Sequence, residues 1–381
     1  MPRQTIVAER NKMPERVDIP FVLLVLLLCG IGFTVLYSGS MGYASRIFDD
    51  PLYFLKKQGA NFIIGVLAMV LFSSINLDMI RKQLPKIVLV TLIVSLLPFI
   101  PGLGVMKNGA TRWIAIKSFT FQPSELVKMV VVFYLASLFA KKFDKLDQPM
   151  VTLMPATVTS LILVATVYFQ NDFSKSLFII LVVLVMFFIA GVDWKWFVRL
   201  LLCVLPLVAL MVLTKTYRVE RVLSFLHPEH DPLGSGYQVN AALDALRDGG
   251  FWGRGLGNGI RKVSSIPEVQ SDFIFAVWGE EMGFIGVCVY FALLIAFALR
   301  GFAVSLRCQD RFRCFLGFGC TTVIFLQSLM NCGVVVRLFP ATGVPLPFFS
   351  SGGSSLLITL CLCGFIINVS RWKPEGEVKN V

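Results

Sequence analysis

Long apolar runs alternate with short polar segments along the whole chain, and ten of the runs approach the length of a membrane-crossing helix. They cover residues 19–38, 59–76, 85–101, 123–140, 152–169, 174–191, 196–214, 272–299, 312–335 and 352–370. A helix needs about 20 apolar residues to cross a hydrocarbon core of roughly 30 Å. The expected fold is therefore an all-α integral membrane protein of ten transmembrane helices. Residues 1–18 and 371–381 are short tails, 19–370 form one membrane domain, and 215–271 form a large polar loop between spans 7 and 8. The first run, Ile19 to Tyr37, is too long for a signal-peptide core and lacks a small-x-small cleavage site, so it is expected to remain as the first span.

The basic residues between the runs orient the bundle. Arg3, Arg10, Lys12 and Arg16 precede span 1, and Arg81, Lys82 and Lys86 lie between spans 2 and 3. Lys141, Lys142 and Lys145 follow span 4, Lys195 and Arg199 follow span 6, and Arg300, Arg307, Arg311 and Arg313 follow span 8. Arg371, Lys373 and Lys379 close the chain. Lys and Arg accumulate in cytoplasmic loops, which places both termini in the cytoplasm and two long loops outside, Pro101 to Gln122 and Lys215 to Ser271. In the second, Ser235 can cap a helix through Asp248 with Val239, Ala242, Leu243 and Leu246 as its apolar stripe. That helix is expected along the outer membrane face.

Composition agrees with this pattern. Of the 381 residues 56% are hydrophobic and only 15% charged, against about 45–50% apolar in soluble domains. The formal charge of +12 sits in loops beside apolar runs, where it meets anionic lipid, so no nucleic-acid partner is expected. The nine cysteines contain no CxxC pair and read as small core residues.

Charged residues inside spans carry the candidate chemistry, because a carboxylate at mid-bilayer costs about 2.5–3.5 kcal/mol on insertion scales. Asp272 opens span 8 at the water boundary, where it can stay ionised and reach a substrate. On one straight helix Glu280 and Glu281 would lie about 12 Å deeper, either lining a polar cavity or ion-paired. Every even span starts on the outside, with its positive dipole end facing outward. Span 4 begins Gln122-Pro123-Ser124-Glu125-Leu126-Val127-Lys128, and Arg112 and Lys117 precede it. Two readings stand: a phosphate site, or a Glu125–Lys128 pair with Arg112 at the headgroups. The dipole sign and the guanidinium geometry favour the first. Span 10 opens on Ser350, Ser351, Gly352, Gly353, Ser354 and Ser355, either a ligand-binding loop or tight packing of small residues. Asp172 and Lys175 at span 6 are expected to pair with each other. The Gly253–Gly259 glycine stretch follows no strand and reads as turns rather than a nucleotide loop. The His227–Asp231 stretch reads poorly as a metal site because Pro228 breaks helical spacing. Ser350 and Ser354 have no histidine nearby in sequence for a hydrolase triad.

Six motifs in a fixed order resemble the SEDS family (shape, elongation, division and sporulation; FtsW, RodA and SpoVE). They are NGATRWI (108–114), FQPSELVK (121–128), DPLGSGYQ (231–238), GGFWGRGLGNG (249–259), PEVQSDFIFAVWGEEMG (267–283) and TGVPLPFFSSGGSS (342–355). GSGYQ together with GRGLGNGIRK tilts the resemblance toward the FtsW branch. The resemblance implies a peptidoglycan glycosyltransferase that polymerises lipid II at the outer face of the bacterial cytoplasmic membrane, at the division septum. It implies catalysis by Asp272 and substrate contacts from Trp113, Gln122, Lys128, Ser350, Ser351 and Ser354, and Arg112, Ser124, Glu125 and Glu268 beside them complete the candidate substrate-binding set. Implied partners are the nascent glycan strand, a class B penicillin-binding transpeptidase and the division proteins FtsQ, FtsL and FtsB. Five positions depart from the family pattern: Gln270 where histidine is usual, Asn171 and Lys175 in span 6, Ser351 in place of tyrosine, and the extra charge of Arg337.

The expected reaction is an inverting sugar transfer with Asp272 as general base. Arg112, Lys128 and the span 4 N-terminus would hold the leaving diphosphate. A divalent cation, Mg²⁺ or Mn²⁺, is compatible with a carboxylate beside a diphosphate, with Asp272 as its one protein ligand. A lipid II flippase and a non-catalytic scaffold for the transpeptidase are the rival readings.

Overall fold

The computed structural model describes residues 17–107, 110–116, 119–146, 148–226, 235–260 and 269–371. Twelve α-helices account for most of them. Helices α1 (Ile19–Phe48), α2 (Tyr53–Ser74), α3 (Leu77–Leu96), α4 (Pro123–Lys141), α5 (Met154–Phe169), α6 (Phe173–Ile189) and α7 (Trp194–Leu213) form seven spans. Two helices outside the spans follow, α8 (Thr216–Leu226) and α9 (Ser235–Gly249). The last three spans are α10 (Ile274–Arg307), α11 (Arg311–Val335) and α12 (Gly353–Ser370). Nine of the ten spans have the length and apolarity to cross a membrane, and α6 is shorter at 17 residues. The chain is thus a multi-pass membrane protein with the expected ten helices.

Polar caps set several helix starts. The Asp18 carboxylate accepts from Phe21 N at 3.0 Å at α1, Asn76 accepts from Asp78 N at 2.9 Å at α3, and Asp310 accepts from Arg313 N at α11. Each satisfies an amide with no partner within the helix. α12 is the centre of the bundle, buried on nearly every face, and α2 lies directly against it. Gly364 permits this approach: a side chain there would meet Met69 O at 2.6 Å. α7 is peripheral, with Met211 its one buried residue. Arg218 ties α8 back to it, donating to Met211 O at 2.7 Å and stacking over Tyr168 and Phe173.

Two features differ from the sequence reading. The Pro101–Gln122 loop contains a three-stranded antiparallel sheet, β1 (Gly104–Lys107), β2 (Ala110–Ile116) and β3 (Phe119–Phe121), in the order β1-β2-β3. Val105 faces Trp113 and Ile114 faces Phe121 across it. It is a small addition to an otherwise all-α fold.

The larger difference is in α10, which breaks at Gly283 (φ 63°, ψ −164°), a backbone region that is essentially glycine-only. On a straight helix Phe275 and Tyr290 would stand about 22 Å apart along the axis. Here their rings are 5.3 Å apart, and the Trp278 indole donates to Gly286 O at 2.8 Å. The first nine residues therefore fold back on the span. The straight-helix premise that put Glu280 and Glu281 about 12 Å deeper than Asp272 fails, because the arm that carries them runs back along the span instead of continuing into it.

The glycine stretch closes that break. Arg254 N and Gly255 N donate to the Glu280 and Glu281 carbonyls at 3.1 and 2.9 Å, while Phe284 N and Ile285 N donate to Gly250 O and Phe251 O. The Glu280 carboxylate accepts from Ile260 N at 2.7 Å, and that of Glu281 from Ser38 Oγ at 2.5 Å. Leu246 of α9 meets Gly279, so the apolar stripe of α9 packs on the folded-back segment rather than only lying against lipid. Gly283→Ala should lower stability by about 2 kcal/mol or more, because its methyl would also stand 2.3 Å from Gly253 N. Thermal unfolding in detergent measures this, and an unchanged midpoint would contradict the account.

Candidate functional site

The odd-to-even connections of the bundle bring the sheet, α8, α9 and the N-termini of α4, α6 and α12 to one end. There two polar groups form, joined by α11.

The first group surrounds the N-terminus of α4. Asp172, buried at the start of α6, accepts from Gln122 Nε2 at 2.6 Å, from Ser124 Oγ at 3.4 Å and from Arg112 Nη1 at 3.4 Å. Lys175 donates to Gln122 Oε1 and to Glu125 Oε1, each at 2.5 Å. Lys128 donates to Glu125 Oε2 at 2.7 Å and to Gln327 Oε1 at 2.6 Å. The expected Asp172–Lys175 pair is therefore absent, since each residue turns instead to a partner at α4. Of the two alternatives for α4, the Glu125–Lys128 pair is present, inside a network in which Arg112 reaches Asp172. Three cations face two carboxylates, leaving one positive charge at helix N-termini whose dipoles have the same sign. Of the three cations Arg112 is the more open, its side chain 29% exposed against 4% for Lys128.

The second group is built around Asp272, half-buried just before α10. Its Oδ1 accepts from Ser271 Oγ at 3.0 Å, and its carbonyl accepts from Asn331 Nδ2 at 2.8 Å. A side chain at Gly343 would stand 3.3 Å from Asp272 Oδ2, so the loop before α12 lies against the carboxylate. That loop is fixed by Ser351 N donating to Gln270 O at 2.9 Å and Gln58 Nε2 donating to Ser350 O at 2.9 Å. The Ser350 hydroxyl accepts from Leu346 N at 2.7 Å and closes a turn. Ser354 is buried, while Ser351 remains partly open. Trp113 is half-buried on β2. Glu268 and Lys117 lie outside the described residues, as does the His227–Asp231 stretch.

Gln327 and Asn331 of α11 connect the two groups, and the sequence reading missed both. Gln327 takes Lys128 on its oxygen and donates from its nitrogen to Pro345 O at 2.9 Å. Asn331 reaches Asp272 O and Val344 O, each at 2.8 Å. Residues four apart share a helix face with Cβ atoms about 6 Å apart, so one turn of α11 sets the spacing between the cationic network and Asp272. Two amides at i, i+4 inside an apolar run were the available signal. Arg221 of α8 was missed too. It lies within electrostatic reach of Arg112, Asp272 and Asp172 and donates to Ala341 O at 3.4 Å. Among the described residues no cluster of three or more His, Cys, Asp or Glu side chains is placed to hold a metal.

Comparison with known proteins agrees with this architecture. A curated relative from Geobacter sp. (strain M18), named "Probable peptidoglycan glycosyltransferase FtsW", is 37% identical over 356 residues, 93% of this chain and 97% of that protein. Stage V sporulation protein E of Bacillus subtilis (strain 168) is 35% identical over 93% of this chain and 97% of its own length. A chain of a solved peptidoglycan synthase complex that coordinates polymerization and crosslinking superposes with a TM-score of 0.75 at 28% identity, covering 93% of this chain and 98% of that one. With residues 19–375 matching the model of the FtsW/RodA/SpoVE cell cycle proteins, the chain belongs to that family.

Proposed function

We propose that this chain is a peptidoglycan glycosyltransferase that joins lipid II units into glycan strands at the outer face of the cytoplasmic membrane. The observation that carries the reading is the pairing, through one turn of α11, of a half-buried carboxylate with a network of net positive charge. The Asp272 carboxylate takes the proton of the acceptor sugar's 4-hydroxyl, that oxygen attacks the anomeric carbon, and the lipid diphosphate departs with the bonding pair. Positive charge where the leaving group develops negative charge stabilises the transition state. Arg112 is the cation of the network best placed to meet it, and the buried Lys128 and Lys175 act through the field they add. Trp113, Gln122, Ser351 and Ser354 belong to the walls around this reaction.

A divalent cation fits the donor set only together with substrate. Mg²⁺ is commonly held by one or two carboxylates plus substrate phosphates, and Asp272 supplies one carboxylate. Bound there it would neutralise charge on the diphosphate. Glycan synthesis in EDTA, with and without added Mg²⁺ or Mn²⁺, tests this: loss and recovery are expected, and full activity in EDTA would exclude the ion.

Beyond the reaction, we place the chain at the division septum with both termini cytoplasmic, beside a class B transpeptidase and FtsQ, FtsL and FtsB. The similarity to relatives named FtsW and to a chain of a synthase complex supports this. The decisive experiment gives purified protein lipid II in detergent and, separately, labelled lipid II in liposomes. Glycan strands are expected in the first. Scrambling in the second without strands in the first would replace the transferase with a flippase.

A further inference from the structure

We propose that a groove between α8, α9 and residues 336–343 binds the diphosphate of one of the two lipid-linked substrates through Arg221 and Arg337. The proposal rests on the transferase reading above. Its starting point is the backbone of Arg337. α11 ends with Leu338 N donating to Gly333 O at 2.7 Å and Arg337 N donating to Val334 O at 3.0 Å. This pair of bonds is the helix-ending motif whose left-handed position is usually glycine. Arg337 occupies that position with φ 59°. Glycine would make the turn without strain, so the turn does not account for the arginine, and an outlier of this kind points to a use for the side chain.

The guanidinium of Arg337 donates to Phe225 O at 3.3 Å, which aims it into a shallow groove shared with Arg221, Ser224, Asn240 and Phe339. No acidic side chain lines the groove among the described residues. Two guanidinium groups there, with a hydroxyl and an amide beside them, suit a group with several phosphate oxygens, which arginine binds through paired N–H donors.

The groove also opens next to the reacting centre. Arg221 donates to Ala341 O, and Ala341 is two residues from Gly343, which faces Asp272 Oδ2. Two residues of extended chain span about 7 Å. Sugar transfer joins two lipid-linked molecules, each carrying a diphosphate, and the α4 network has only one uncompensated positive charge. Arg221 and Arg337 supply a second pair of guanidinium groups beside Asp272, with Arg221 in electrostatic reach of both Asp272 and Arg112.

The test uses the full chain in detergent with lipid II, and inorganic pyrophosphate as probe. Arg337→Gly keeps the turn and should unfold no earlier than wild type. It should nevertheless raise KM roughly tenfold, the factor one charge-assisted hydrogen bond carries, and raise the pyrophosphate concentration for half-inhibition alongside. Arg221→Gln should do the same, and Arg337→Lys should recover part of the loss. Unchanged KM and unchanged pyrophosphate inhibition in both variants, with an active wild type, would overturn the proposal. Phosphatidylglycerol in mixed micelles competing where pyrophosphate does not would also overturn it, by making the groove a phospholipid headgroup site. A wild type that forms no strands would instead defeat the transferase reading, and calorimetric binding of pyrophosphate to wild type and Arg337→Gly would still test the groove.

Discussion

Asp272→Asn should fold, bind lipid II and form no glycan strands. The side chain's hydrogen bond from Ser271 Oγ reaches Oδ1, an oxygen that asparagine keeps, and the bond from Asn331 goes to the backbone carbonyl. The position is half-buried, so water can reach the carboxylate's surroundings and screen the Arg221 charge that lies in its reach. What the variant loses is the ability to take a proton from a sugar hydroxyl at neutral pH, because an amide is not a base there. General-base assistance contributes about 10²–10⁴-fold, and the loss of rate should be at least that large. Lipid II binding and the thermal midpoint serve as controls, since the loss belongs to the chemical step. Strand synthesis at the wild-type rate would remove Asp272 from the mechanism.

Much of the bundle was legible because hydrophobic length is a strong signal in a membrane protein: no water is available to satisfy a non-helical backbone. α4, with bounds 123–141, begins where Gln122-Pro123 announces a helix start. α12 and α11 likewise match their apolar runs within a residue. The turn inside α10 was hidden because hydropathy reports burial in apolar surroundings and carries no direction. Both arms around Gly283 are apolar, so the run reads as one span, longer than the about 20 residues a crossing needs. A clue existed in the glycines of residues 249–259, whose backbone fills the break, but their pairing with Gly283 is long-range and invisible in local pattern.

The site divides in the same way. Arg112, Gln122, Ser124, Glu125 and Lys128 sit close in sequence and were found as one group. Asp172 and Lys175 are three apart on one helix and looked like partners, yet each meets a stronger partner on α4, because packing brings two helix N-termini together. Gln327, Asn331 and Arg221 were missed because their partners are 13 to 199 residues away.

Glu125→Gln should be the most destabilising single change in the polar network. The carboxylate is 2% exposed and holds Lys175 on one oxygen at 2.5 Å and Lys128 on the other at 2.7 Å. Glutamine preserves shape and one acceptor, so packing is unaltered and the change isolates charge. Two ammonium groups then face each other inside the bundle without their anion. Removing one partner of a buried ion pair costs about 3–5 kcal/mol, and here one substitution strands two cations. Glu125→Asp keeps the charge and should cost much less, mainly through longer hydrogen bonds. The sharper check is Glu125→Gln with Lys175→Gln. If the penalty is stranded charge, removing one lysine recovers part of it, and the double variant is more stable than Glu125→Gln alone. Thermal midpoints in detergent for the four proteins give the coupling. A double variant that falls by the sum of the single losses would mean that the network is held by hydrogen-bond geometry alone, and the net positive charge assigned to this end of the bundle would lose its physical basis.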